Sequence, residues 1–156
     1  MASIARFWRI CRKRYAAEAT DGEGSRLYGG RWNSRGVRVV YASTSLALAA
    51  METFVNLEPN LRPADLVSIE GAIPSAIEIG RLDLNALPAG WRETRDESLR
   101  RFGNEWIRAA RNVALLVPSA AIHGDWNVLL NPNHPDFSKI KFRTPEPFEF
   151  DVRMFR

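Results

Sequence analysis

Prolines cut the apolar stretches of this chain into short pieces, and that spacing limits the folds open to it. Leu66–Ile73 (LVSIEGAI) is closed by Pro74, Val113–Val117 by Pro118, and the run Ser45–Leu57 by Pro59. Proline has no N–H to give to a helix interior or an inner ladder, so each element ends at or near it. The β-branched pieces read as strands, as do Ile4–Cys11 (IARFWRIC) and Val37–Ala42 (VRVVYA). Alternation in the last puts Val37, Val39 and Tyr41 on one side. Ser45–Leu57 reads as a helix with Ser43 or Thr44 at its N-cap.

A second helix is predicted behind Thr94-Arg95-Asp96-Glu97, which has the form of a capping box. It sets Leu99, Phe102 and Trp106 on one face and turns Arg100, Arg101 and Glu105 elsewhere. Ala17–Gly36 reads mostly as loop, the stretch from Ile73 to Trp91 as loosely organised, and Asn131–Pro135 as turn. Two short strands, around Ile140–Arg143 and Phe148–Phe155, complete the pattern. Strands outnumber helices and no βαβ alternation is visible. The expectation is therefore an α+β single domain over residues 1–156, with a mostly antiparallel or mixed sheet and a few flanking helices.

A chain of 156 residues matches one domain, and 46% hydrophobic residues is a globular composition. Cys11 is the one cysteine, which excludes an internal disulfide and suits a reducing compartment. The longest apolar stretch, Leu46–Met51, is far too short to cross a bilayer. The N-terminal arginines interrupt any secretory core. A cytoplasmic location and no membrane partner are expected. The net charge of +4 favours anionic partners: nucleic acid, phosphorylated metabolites or an acidic protein.

Glu52 is the most informative side chain, being the one charge between Arg38 and Glu58. It is either the solvated edge of a core helix or a carboxylate at the lip of an apolar cleft. Upstream, SRLYGGRWNSRG joins glycines, which let a backbone approach a ligand, to Arg31, whose planar fork suits phosphate oxygens. Tyr28 and Trp32 can stack on a ring there; a flexible basic loop is the plainer alternative. Ser119 follows a buried strand, and Asn127 and Asn131 lie in WNVLLNP; these three either orient a ligand or close turns. Two histidines and one cysteine cannot assemble a zinc cluster, so no metal is expected. Neither a GxSxG elbow nor a Walker loop is present.

In order, FWRI, GGRWN with Arg31, VVYAS with Tyr41, ALAAMETFV with Glu52, VPSA with Ser119 and WNVLLNPNHPDF resemble the RES domain family, named for an arginine, a glutamate and a serine. The likeness runs from about Phe7 to Phe142. It implies a split sheet like that of ADP-ribosyltransferases around an NAD cleft, with Arg31, Tyr41 and Glu52 as catalytic residues. Ser119, Tyr28, Trp32, Asn127 and Asn131 are the candidate substrate contacts. It also implies a toxin that degrades NAD by hydrolysis or phosphorolysis, with NAD as substrate and no cofactor. The implied partner is an Xre-type helix-turn-helix antitoxin that blocks the site. The alternative within enzymes is ADP-ribosyl transfer to a specific protein. A basic nucleic-acid-binding module is the alternative outside them, disfavoured because the arginines are scattered among acids.

Overall fold

The structure, a computed structural model, describes residues 4–156. The long inner strand β1 (Ile4–Arg12) pairs antiparallel with β3 (Leu66–Pro74) from Ile4–Pro74 through to Arg12–Leu66. On its other side β1 meets β2 (Val40–Ser43) at a single registered pair, Trp8 with Ser43. Beyond that point the two strands diverge, so the sheet is split along their junction. β2 pairs with β6 (Trp126–Leu130), and β6 with β5 (Ala114–Pro118). β5 runs parallel to the short β4 (Gly80–Arg81). At the far edge, β7 (Lys141–Phe142) and β8 (Glu146–Phe148) both pair antiparallel with β3. One parallel pair in an otherwise antiparallel sheet makes this the mixed α+β architecture that the patterning predicts.

Side chains alternate across the strands, and both faces are packed. One face gathers Phe7, Val40, Ala42, Ile73, Val128 and Leu130. The other gathers Val39, Leu115, Val117, Leu129 and, from the preceding loop, Trp32. Val37 and Tyr41 pack against the second group with Val39, as the alternation requires. Helix α3 (Glu97–Ala109) lies on this second face through Leu99, Phe102 and Trp106. Burying a side chain such as Leu99 contributes about 1.5–3 kcal/mol. Gly103 lets the helix close in: a Cβ there would sit 1.9 Å from the Trp32 carbonyl oxygen.

Helix α2 (Leu46–Val55) packs over β1 and β2 and buries Leu48 and Ala49. Its end is held by the C-terminal segment, where the rings of Phe150 and Phe155 stand 5.9 and 5.8 Å from that of Phe54.

Several local expectations are corrected. The stretch Ala17–Gly36 is not all loop, because Glu23–Tyr28 forms helix α1, closed at Gly29. Ser45, rather than Ser43 or Thr44, caps α2 by accepting from Leu48 N–H, since Ser43 is still within β2. Asp96 caps α3, accepting from Ser98 N–H, so Thr94 lies outside the helix and its capping box does not form. The predicted strand Phe148–Phe155 ends at Phe148, and Val152–Phe155 is a 3₁₀ turn started by Asp151. WNVLL, for which no strand is predicted, forms the inner strand β6.

Candidate active site

The divergence of β1 from β2 opens a cleft of about 580 Å³, which lies within the usual size of a small-ligand site. Glu52, on α2, and Arg31, in the loop before β2, both line it. They do not form an ion pair, so charge of each sign remains within one cavity.

Glu52 is aimed by residues from distant parts of the chain. Its Oε1 accepts from the Ser119 hydroxyl at 2.6 Å and from the Asn127 amide at 2.8 Å. The second oxygen, Oε2, accepts no hydrogen bond among the described residues and stays free for a ligand. Asn127 is itself oriented, its carbonyl oxygen accepting from Ser43 Oγ at 2.7 Å. Ser119 is 0% exposed and also accepts from the N–H groups of Ala121 and Ile122. The expectation that Ser119 touches substrate is therefore corrected: its hydroxyl lies behind the carboxylate and positions it.

The GGRWN loop is built around Tyr41. The phenol donates to Asn33 Oδ1 at 2.5 Å and accepts from Trp32 N–H at 3.1 Å. Gly30 passes so close that a Cβ would come within 2.6 Å of the hydroxyl oxygen. Burial pushes the Tyr41 hydroxyl far above the usual tyrosine range, against the pull of the guanidiniums of Arg9, Arg31 and Arg95. Arg31 Nη1 donates to the carbonyls of Trp91 and Thr94 at 3.1 and 2.7 Å, which fixes the guanidinium and ties down the segment before α3. Burial, followed by the nearby charge of Arg95, lowers its pKa.

Tyr28, at the end of α1 on the cleft rim, is 77% exposed and available to a ligand. Trp32 also lines the cleft, but the residue is 2% exposed and its ring packs against Trp91 and Phe102, so the predicted stacking role gives way to a core one. Asn131 stands outside the cleft, where its Oδ1 accepts from Asn133 N–H to close the turn after β6.

Four residues of the site escape sequence reasoning: Arg9, Ser43, Asn33 and Arg95. Arg9, on β1, donates Nη1 to the Tyr41 carbonyl at 2.7 Å across the split, and its Nε is sealed from solvent without a partner. None of the ion pairs among the described residues includes it. A guanidinium within an otherwise apolar strand run, FWRIC, was the available signal. The cleft thus carries Arg9, Arg12, Arg31 and Arg95 against one carboxylate, Glu52, with Arg12 paired to Asp65 at 2.9 Å.

The same α+β fold occurs in a chain of the crystal structure of the M. tuberculosis MbcT–MbcA toxin–antitoxin complex. The two superpose with a TM-score of 0.74 over 96% of this chain and 86% of that one, at 14% sequence identity. Residues 6–151 match the RES domain, and the chain belongs to the RES domain family. It is 36% identical to the Prs ADP-ribosylating toxin of a Sphingobium species over 96% of each chain. It is also 35% identical to Toxin Res of Photorhabdus laumondii over 85% of each.

Proposed function

We propose that this chain is the toxin of a toxin–antitoxin pair and an enzyme that cleaves the bond between nicotinamide and ribose in NAD. The observation that carries this reading is the asymmetry of Glu52, with one oxygen locked by Ser119 and Asn127 and the other free in a cleft of cations. In the cleavage the carbon–nitrogen bond breaks with its electron pair, nicotinamide departs neutral, and the ribose carbon takes oxocarbenium charge. Water then adds and releases a proton, giving ADP-ribose; phosphate in place of water gives the phosphorylated sugar.

Glu52 Oε2 would accept a ribose hydroxyl and steady the growing positive charge, an attraction stronger in the transition state than before it. Because Oε1 is already fixed, no reorganisation is needed at that moment. Arg31 and Arg9 supply cations for the diphosphate. Tyr41, whose hydroxyl is engaged, contributes its ring and the shape of the GGRWN loop. Tyr28 can cover a base from the rim. The partner this reading carries is an Xre-type antitoxin that occludes the cleft. A nucleic-acid surface is less well supported, since Arg12, Arg26 and Arg38 pair with Asp65 and Glu23 rather than forming an open basic stripe.

A second reading, ADP-ribosyl transfer to a protein, is favoured by the name of the Sphingobium relative. Purified chain incubated with labelled NAD, alone and with a bacterial lysate that supplies protein acceptors, decides between the two. Nicotinamide release with free ADP-ribose, or its phosphorylated form, supports cleavage. Label retained on one protein supports transfer. No loss of NAD at all rejects both.

A further inference from the structure

The segment Trp91–Asp96 borders the cleft through Arg95 and is tied at two points. On one side Arg31 holds the carbonyls of Trp91 and Thr94. On the other, Arg95 Nη2 donates to Asn56 Oδ1 at 2.8 Å, and Asn56 Nδ2 donates to the Glu52 carbonyl at 2.8 Å. A continuous arch therefore joins the Arg31 loop to the end of the helix that carries Glu52. Arg95 and Asn56 both line the cleft.

We propose that Arg95 is a further ligand-binding residue, which leaves Asn56 and closes over the diphosphate of a bound dinucleotide. This rests on the NAD reading above. Two features of the arch argue for it. Arg31 and Arg95 lie close enough for each charge to oppose the other, and neither has a carboxylate within ion-pairing distance among the described residues. An anion set between them removes that repulsion. Secondly, Arg95 is held by a single bond to an uncharged amide, whereas a diphosphate offers the guanidinium fork an oppositely charged partner that can take two parallel N–H groups. Exchange of Asn56 for phosphate oxygen is therefore downhill once the ligand arrives. The strap needs only a side-chain movement, because Arg31 keeps its backbone in place.

The test measures binding of ADP-ribose, which carries the diphosphate and is not consumed, beside adenosine, which lacks it. Arg95→Gln should weaken ADP-ribose binding roughly tenfold to a hundredfold while leaving adenosine unchanged. Arg95→Lys, which keeps the charge and loses the fork, should fall between the two. Asn56→Ala should tighten ADP-ribose binding, and that gain should vanish in the Arg95→Gln background. Thermal midpoints establish that each variant is folded. Unchanged ADP-ribose affinity in Arg95→Gln overturns the proposal and leaves the NAD reading intact. An Asn56→Ala variant with unaltered affinity, or with a loss that persists without Arg95, overturns the exchange. Wild-type protein that binds no ADP-ribose and releases no nicotinamide sinks the NAD reading, and this inference with it.

Discussion

The Ser119 hydroxyl donates to Oε1 of Glu52 at 2.6 Å while accepting two backbone N–H groups of its own. Its proton has one place to go, so the hydroxyl is a fixed donor and the carboxylate a fixed acceptor. Ser119→Ala removes that donor and strands the N–H groups of Ala121 and Ile122. Stability should fall by about 1–3 kcal/mol. Nicotinamide release should slow through kcat more than KM, because the aim of Glu52 is disturbed rather than the grip on the dinucleotide. A variant with wild-type kcat would remove Ser119 from the positioning of Glu52.

Glu52→Gln keeps the shape and an oxygen able to accept from Ser119 and Asn127, while removing the charge. The rate of NAD cleavage should drop by about 10²–10³. The thermal midpoint should hardly move. Steady-state nicotinamide release alongside a melting curve checks both, and equal activity would exclude Glu52 from charge stabilisation.

Arg31→Lys preserves one positive charge but cannot serve two carbonyls and a ligand from a planar fork. The KM for NAD should rise. The segment Trp91–Thr94 should loosen, seen as faster amide hydrogen exchange there. Unaltered exchange would mean that the segment is held by Trp91 packing alone.

Tyr41 gives a pH signature. Burial keeps its hydroxyl protonated in the folded chain beyond the value near 10 at which an unfolded tyrosine ionises. Above about pH 10 the folded state then holds one more proton than the unfolded, so stability declines as pH rises, by about 1.4 kcal/mol per unit. Tyr41→Phe should abolish that share of the slope. At neutral pH it should cost about 1–3 kcal/mol, because Trp32 N–H and Asn33 Oδ1 lose their partner. Denaturant midpoints across the alkaline range report both effects.

Two glycines predict opposite outcomes. Gly103→Ala drives a methyl into the Trp32 carbonyl and should destabilise by 3 kcal/mol or more, at or beyond the upper end of the roughly 1–3 kcal/mol typical of overpacking. Gly24→Ala meets open space within α1 and should stabilise by about 0.4–1 kcal/mol. Similar midpoints for the two variants would contradict the docking of α3 on the GGRWN loop.

Much of the fold is legible in the sequence. Period-two and helical patterns located β1, β3, β5, α2 and α3, because burial on one face leaves its mark in the sequence. Glu52 stood out as a lone charge in apolar surroundings, and it does face a cleft. The burial of Trp32 is not legible locally, because its neighbours are glycine, arginine and asparagine, whereas it depends on Gly103 and Trp91 far along the chain. Asp96 displaced Thr94 as a cap because the Thr94 carbonyl belongs to Arg31, a contact no local motif encodes. Ser119 and Asn127 are polar candidates by sequence, but only the fold shows that both converge on one oxygen.

The two donors to Glu52 Oε1 are 67 and 75 positions downstream of it. During synthesis the acid leaves the ribosome long before anything can orient it, and β6, which bears Asn127, emerges among the last inner strands. On the proposed function, a nascent or truncated polypeptide lacks both donors that aim the carboxylate, and full catalytic competence waits until the sheet has closed.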